Sequence, residues 1–148
     1  MIIFASEDAS CDPRALEVAL NVDKALERVG LPEGKIPLAQ GIVYLACCSK
    51  SNASYKALRE MEGIVREYPD LEIPKHLRNA PTDLMKKMGN SIGYQYPHDY
   101  PGAFIAKRYL PDKISDLRVY QPSDRALDGK IKERLEHYEG LIKSKPRK

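Results

Sequence analysis

Gly93-Tyr94-Gln95-Tyr96-Pro97-His98-Asp99-Tyr100-Pro101-Gly102, followed by Tyr109-Leu110-Pro111, is a stretch that no simple helix or strand period would write. Four of the nine tyrosines of the chain fall between Tyr94 and Tyr109. The interleaved prolines lack a backbone N–H and fix φ, so the spacing predicts an ordered, aromatic, largely non-helical wrap from Ser91 to Pro122. Within it Tyr94 and Tyr96 alternate as a strand would, and Leu117, Val119 and Tyr120 are expected to pair with them as a two-stranded ribbon.

On both sides of this wrap the periods are helical. Upstream, Asp12 is expected to cap a helix with Pro13 at its first position, and Ala15, Ala19, Val22, Leu26 and Val29 recur at helical spacing until Gly30 and Pro32 end it. A second helix runs from about Glu33 to Ala46 and is apolar around most of its circumference, with Pro37 tolerable only in its first turn. Such a helix must be covered, by the rest of the domain or by another subunit. A third follows a Ser51 or Asn52 cap, with Tyr55, Leu58, Met61, Val65 and Tyr68 inward and Arg59, Glu60, Glu62 and Arg66 outward, ending before Pro69. Asn79 or Ala80 is expected to open a short helix with Leu84, Met85 and Met88, closed by Gly89-Asn90. Downstream of the wrap, Ser123-Asp124 caps a last helix with Leu127, Ile131, Leu135, Tyr138 and Leu141 inward. The fold class is therefore mainly α.

With 148 residues, 43% of them hydrophobic, the chain suffices for one self-standing core, and residues 1–148 are read as a single domain. No apolar run reaches the ~20 residues of a membrane span, and Met1-Ile2-Ile3-Phe4 lacks the basic start and long apolar stretch of a secretory signal. A cytoplasmic protein with no membrane contact is expected. Cys11, Cys47 and Cys48 have neither the number nor the spacing of a disulfide framework or a zinc site, so they are read as small buried hydrophobes and no metal is expected. The net charge is +3, but residues 130–148 hold seven basic and three acidic residues, which leaves −1 for the rest. Residues 143–148 are read as a flexible basic tail, and any nucleic-acid contact as peripheral.

Candidate chemistry is sparse. The glycine-rich loop ending in Gly-Lys-Ser/Thr that cradles phosphates is absent, so no nucleotide hydrolysis is expected of this chain. His98-Asp99 invites an acid/base reading, since a carboxylate can orient an imidazole. Neighbouring residues rarely point the same way, and the pair lies between Pro97 and Pro101, so a rigid hydrogen-bonded turn is the favoured role. Arg78-Asn79 reads as a capping and loop-anchoring pair. Tyr94, Tyr96, Tyr100 and Tyr109 with Lys107 and Arg108 match the composition of a single-strand binding surface, while packing of the rings on the helices is the favoured reading.

The wrap, together with His76-Leu77-Arg78-Asn79-Ala80-Pro81-Thr82, Leu84-Met85-Lys86, Phe4-Ala5-Ser6-Glu7-Asp8, Pro32-Glu33-Gly34, Leu38-Ala39-Gln40 and Ser49-Lys50-Ser51-Asn52, resembles the C-terminal region of the replication-associated recombination protein A (RarA, or MgsA) family of AAA+ ATPases. The eukaryotic relative of that family is the Werner-helicase-interacting ATPase. The resemblance runs from about Ile3 to about Leu135. It departs at Ala9-Ser10, where the family implies Ile-Gly, and at Ser49, where it implies proline.

The resemblance implies a fragment whose ATPase core, with its ATP and magnesium, lies upstream, and whose first residues belong to a connecting helix. It further implies a collar-like domain that assembles a homotetramer, in a DNA-dependent ATPase that acts at stalled forks near the nucleoid. Ile36, Leu38, Ile42, Val43 and Tyr44 are the expected core or interface residues. Asn79, Pro81, Tyr96, Pro97, His98, Asp99 and Tyr100 are the structural motif. Lys107, Arg108, Lys143 and Lys145 are candidate DNA contacts. The alternative reading is a module that binds single-stranded DNA or a replication partner such as single-strand DNA-binding protein.

Overall fold

The computed structural model describes residues 1–107 and 109–144. Arg108 and Lys145, two of the candidate DNA contacts, and the tail beyond Ser144 lie outside the described residues. Six α-helices make up the described chain: α1 (Ile2–Glu7), α2 (Ala15–Val29), α3 (Lys35–Cys47), α4 (Ala53–Glu67), α5 (Asp83–Lys87) and α6 (Ala126–Ser144). Among the described residues the pairing of extended backbone is limited to one parallel bridge between Ala9 and Ser51. The chain divides into two compact units, residues 1–63 with 119–136 and residues 64–118 with 137–148.

Unit one is built on small residues. Ala5, Ala9, Ala15, Ala19 and Leu45 form its buried cluster, with Phe4, Tyr44 and Cys48 packed against it. Alanines at these positions let helix backbones approach closely, which suits α1 and α3 lying against α2. The approach is close at Gly41, where a Cβ would stand 2.5 Å from Val22 Cγ2 and 2.7 Å from Met1 Cε. The entry to α2 differs from expectation in detail. Asp12 Oδ1 accepts from the Arg14 N–H and the Asp12 carbonyl accepts from the Ala15 N–H, so the Asp12 side chain shapes a turn and the helix proper opens at Ala15. α3 begins at Lys35 with Pro37 in its first turn, where a missing N–H is harmless. At its other end Lys50 Nζ donates to the Leu45 carbonyl at 2.6 Å while lying 4.2 Å from the centre of the Phe4 ring. A cation there satisfies an orphan carbonyl and complements the helix dipole.

Unit two holds the wrap as far as Arg118. The expected ribbon does not form: Pro97–Asp99, Pro101–Ala103 and Asp112–Ile114 are single 3-10 turns separated by extended or irregular backbone. Prolines at the head of the first two set φ for a turn and supply no ladder donor, which outweighs the alternation of Tyr94 and Tyr96. The start of α5 also differs. Its N-cap is Thr82, whose hydroxyl accepts from the Met85 N–H, in place of Asn79 or Ala80. Its close is as expected: Gly89, at φ +86°, gives its N–H to the Lys86 carbonyl and Asn90 gives its N–H to Met85, the paired bonds of a Schellman turn.

Several inward assignments are corrected, among them Leu127 and Leu141 of α6, which are 36% and 39% exposed. On α4, Tyr55, Leu58, Val65 and Tyr68 are exposed, with Leu58 and Val65 at 57% and 56%. The less exposed stripe is Ala53, Ala57, Met61 and Ile64, one step round the helix. In the wrap, Phe104 stacks on Tyr138 with ring centroids 4.5 Å apart and Ile105 is buried, so these two residues carry the packing and not the tyrosines. Cys11 is buried as read, whereas Cys47 is exposed on α3.

Candidate functional site

A buried carboxylate organises unit one. Asp128, in the first turn of α6, is 1% exposed. Its Oδ2 accepts from the Ser51 hydroxyl at 2.5 Å, the Ser123 N–H at 3.1 Å and the Ser123 hydroxyl at 3.0 Å, and its Oδ1 accepts from the Tyr120 hydroxyl at 3.1 Å. Burial alone would push this carboxyl up. The bonds from Ser51, Ser123 and Tyr120 more than offset burial and hold it below the usual carboxylate range. Burial and the same carboxylate push the Tyr120 phenol up.

Ser51, 4% exposed, extends the network. Its carbonyl accepts from the N–H and the hydroxyl of Ser10, and its own N–H donates to the Asp8 carbonyl. Ser10 thus uses its hydroxyl at the position where the family resemblance implied glycine. Asp128 has its oxygens engaged by four donors and is almost fully buried, an arrangement that locks chain segments together and closes the carboxylate to a substrate. Cys11 lies beside it, and burial together with Asp128 pushes its thiol up, away from the reactive thiolate. Among the described residues no group of three or more His, Cys, Asp or Glu is placed to hold a metal ion.

The five residues of α3 expected in core or interface separate cleanly. Leu38 and Tyr44 are half-buried, and the Tyr44 hydroxyl donates to both Asp12 oxygens at 3.3 and 3.2 Å. Gly41 and Leu45 complete the inward side. Ile36, Ile42 and Val43 face away, 72%, 52% and 64% exposed. With Ala39, Ala46 and Cys47, also exposed, they make an apolar face, and residues 36–47 contain no charged side chain.

In unit two the central motif is a set of turns and anchors. Arg78 gives Nε to the Ile73 carbonyl and a guanidinium N–H to Glu72, both at 2.6 Å, and its carbonyl accepts from the Ser91 hydroxyl. The Arg78 bond holds the Glu72 carboxyl below its usual range. Asn79 and Pro81 are exposed in the loop that follows. The Asp99 N–H donates to Tyr96 and the Tyr100 N–H to Pro97, the ladder of the 3-10 turn that contains His98. His98 and Asp99 are both exposed, and the His98 ring lies against Tyr96 with centroids 5.0 Å apart. Lys143 is exposed near the end of α6.

A family model described as MgsA AAA+ ATPase C terminal matches residues 1–139. The chain belongs to this family. Replication-associated recombination protein A of Escherichia coli K12 is 48% identical over 136 residues, covering 90% of this chain and 30% of that protein. The protein of the same name from Coxiella burnetii is 46% identical over 143 residues, covering 95% and 32%. A relative from Dictyostelium discoideum named ATPase WRNIP1 is 33% identical over 123 residues, covering 82% of the chain and 14% of that protein. The chain spans about a third or less of the length of these curated relatives. The matched part is mainly helical, and among the described residues no helix is long and apolar enough to cross a membrane.

Proposed function

We propose that this chain is the assembly domain of a replication-associated AAA+ ATPase, and that the outer face of α3 is where subunits meet. The observation that carries the reading is the exposure of Ile36, Ile42 and Val43 on a helix with no charge from residue 36 to residue 47. Interfaces of obligate oligomers are as apolar as a domain core cut in half. An uncharged face can also meet its own copy without like-charge repulsion. A homotetramer then sets the spacing of ATPase modules around DNA. ATP and magnesium belong to the upstream core of the whole protein, which works in the cytoplasm at the nucleoid, with single-strand DNA-binding protein as a candidate partner.

Light scattering coupled to size exclusion tests the reading directly. The expected mass is about four times that of the 16.7 kDa chain, as closed symmetry requires a whole number of subunits. Ile42→Asp with Val43→Asp is expected to give a folded monomer. A wild-type chain that remains monomeric at the highest concentrations would place assembly elsewhere in the protein.

A further inference from the structure

We propose that Cys48 and Lys50 form a redox-modification site, at which hydrogen peroxide joins the cysteine sulfur to the lysine nitrogen in a reversible sulfenamide. Lys50 Nζ lies 3.7 Å from Cys48 Sγ. One acceptor holds both groups: the Leu45 carbonyl takes the Lys50 ammonium at 2.6 Å and the Cys48 thiol at 3.1 Å. The Phe4 ring, its centre 4.2 Å from Nζ, is a third hold on the ammonium. Sulfur and nitrogen are thus kept close to the ~3–3.5 Å separation from which positioned groups react.

The three cysteines differ in their surroundings. Cys11 is buried, and burial pushes its thiol up. Cys47 is exposed on α3. Cys48 is half-buried, which leaves it open to a small peroxide while an amine waits beside it. That amine is what separates the pair from a cysteine that is merely oxidisable.

The chemistry balances with one peroxide. The Cys48 sulfur attacks a peroxide oxygen, the S–O bond forms, the O–O bond breaks, and the thiol proton leaves with the second oxygen as water. The product is a sulfenic acid. Lys50, having given a proton to solvent, attacks the sulfur; the N–S bond forms, the S–O bond breaks, and the hydroxyl departs as a second water. Sulfur is oxidised by two electrons, the peroxide is reduced by two, and the pair has lost two hydrogens in all. A small thiol reverses the step by attacking the sulfur and releasing the amine, and a second thiol frees Cys48. Capture by nitrogen also keeps the sulfur from climbing to the irreversible sulfinic acid. While joined, Lys50 no longer brings an ammonium to the C-terminal carbonyl of α3 or to Phe4, so peroxide acts on the end of that helix.

Tryptic peptide mapping of the folded chain after hydrogen peroxide tests the proposal. It is carried out on Cys47→Ser, which removes the neighbouring thiol that could pair with Cys48. Trypsin cuts after Lys50 only where the amine is free. The expected product is the peptide of residues 36–56, uncut after Lys50 and lighter by two hydrogens, and dithiothreitol should restore the cut. Cys48→Ser should be cut after Lys50 with or without peroxide. Lys50→Arg keeps the charge and offers no amine that can lose a proton, so Cys48 should proceed to a sulfinic acid that dithiothreitol does not reverse. Cleavage after Lys50 that persists in the oxidised chain, the uncut peptide in Cys48→Ser, or equally reversible oxidation in Lys50→Arg would each overturn it.

Discussion

Asp128 shows how much of unit one converges on one side chain. Its four hydrogen bonds tie the start of α6 to Tyr120, Ser123 and Ser51, and through Ser51 to Asp8 and Ser10. Asp128→Ala leaves three hydroxyls and an N–H unpaired in a buried site, and the expected loss is about 3 kcal/mol in denaturant unfolding. Asp128→Asn should lose less. Its amide oxygen can take the Oδ2 position with its three donors, while the Tyr120 hydroxyl turns to accept from the amide nitrogen. The pH dependence follows from the direction of the shift. A carboxyl held below its usual range contributes stability that is present above about pH 4, and this is lost as pH falls through its folded value. The Tyr120 phenol, pushed up, contributes below about pH 10 and loses that contribution as pH rises further. Unfolding midpoints across acid pH should therefore fall less steeply for Asp128→Asn than for wild type. Nothing in the sequence pointed to this residue. A lone Asp in a first turn reads as a solvated acid favoured by the dipole, and its partner Ser51 lies 77 positions away.

At the scale of elements, several rules that need only near neighbours succeeded, though the starts of α2 and α5 fell elsewhere than expected, and the pairing rule that needs a distant partner did not. Pro37 in the first turn of α3, Gly89-Asn90 closing α5 and the end of α2 at Gly30 each depend on a few adjacent residues, and each is found. The ribbon failed because strand pairing needs a partner and free donors, which the prolines of the wrap remove. On α4 Met61 lies on the less exposed stripe as expected, whereas Tyr55, Leu58, Val65 and Tyr68 do not. Where helices do approach closely, as α3 does on α2, a small residue such as Gly41 faces inward, and hydropathy alone does not reveal that. Gly41 makes the point testable. In an isolated helix Gly→Ala would stabilise by about 1 kcal/mol. Here the new methyl meets the stiff Val22 side chain, so Gly41→Ala is expected to destabilise by about 1 to 2 kcal/mol. Pairing it with Val22→Ala should recover part of that loss, and thermal unfolding of the single and double variants checks both.

For the molecule as a whole, the informative surface is the one that a stable monomer would not choose. Ile36, Ile42 and Val43 are all more than half exposed on a helix whose opposite side is packed against α2. The sequence made the helix legible, and its all-round apolar character announced that something must cover it. Which residues face the chain's own core could not be read, because Leu38, Gly41, Tyr44 and Leu45 do not stand out from their neighbours in hydropathy. If copies of the chain cover this face, folding and assembly are linked and stability depends on concentration. Across about a hundredfold range of concentration, the unfolding midpoint of wild type should rise by about 5 °C. Ile36→Ser with Ile42→Ser and Val43→Ser removes apolar area that the single chain leaves in water. The substituted chain should therefore unfold at one temperature at every concentration, close to that of wild type at its most dilute. A variant that melts well below dilute wild type would show instead that these side chains pack within the chain, and a wild-type midpoint independent of concentration would deny the face its role.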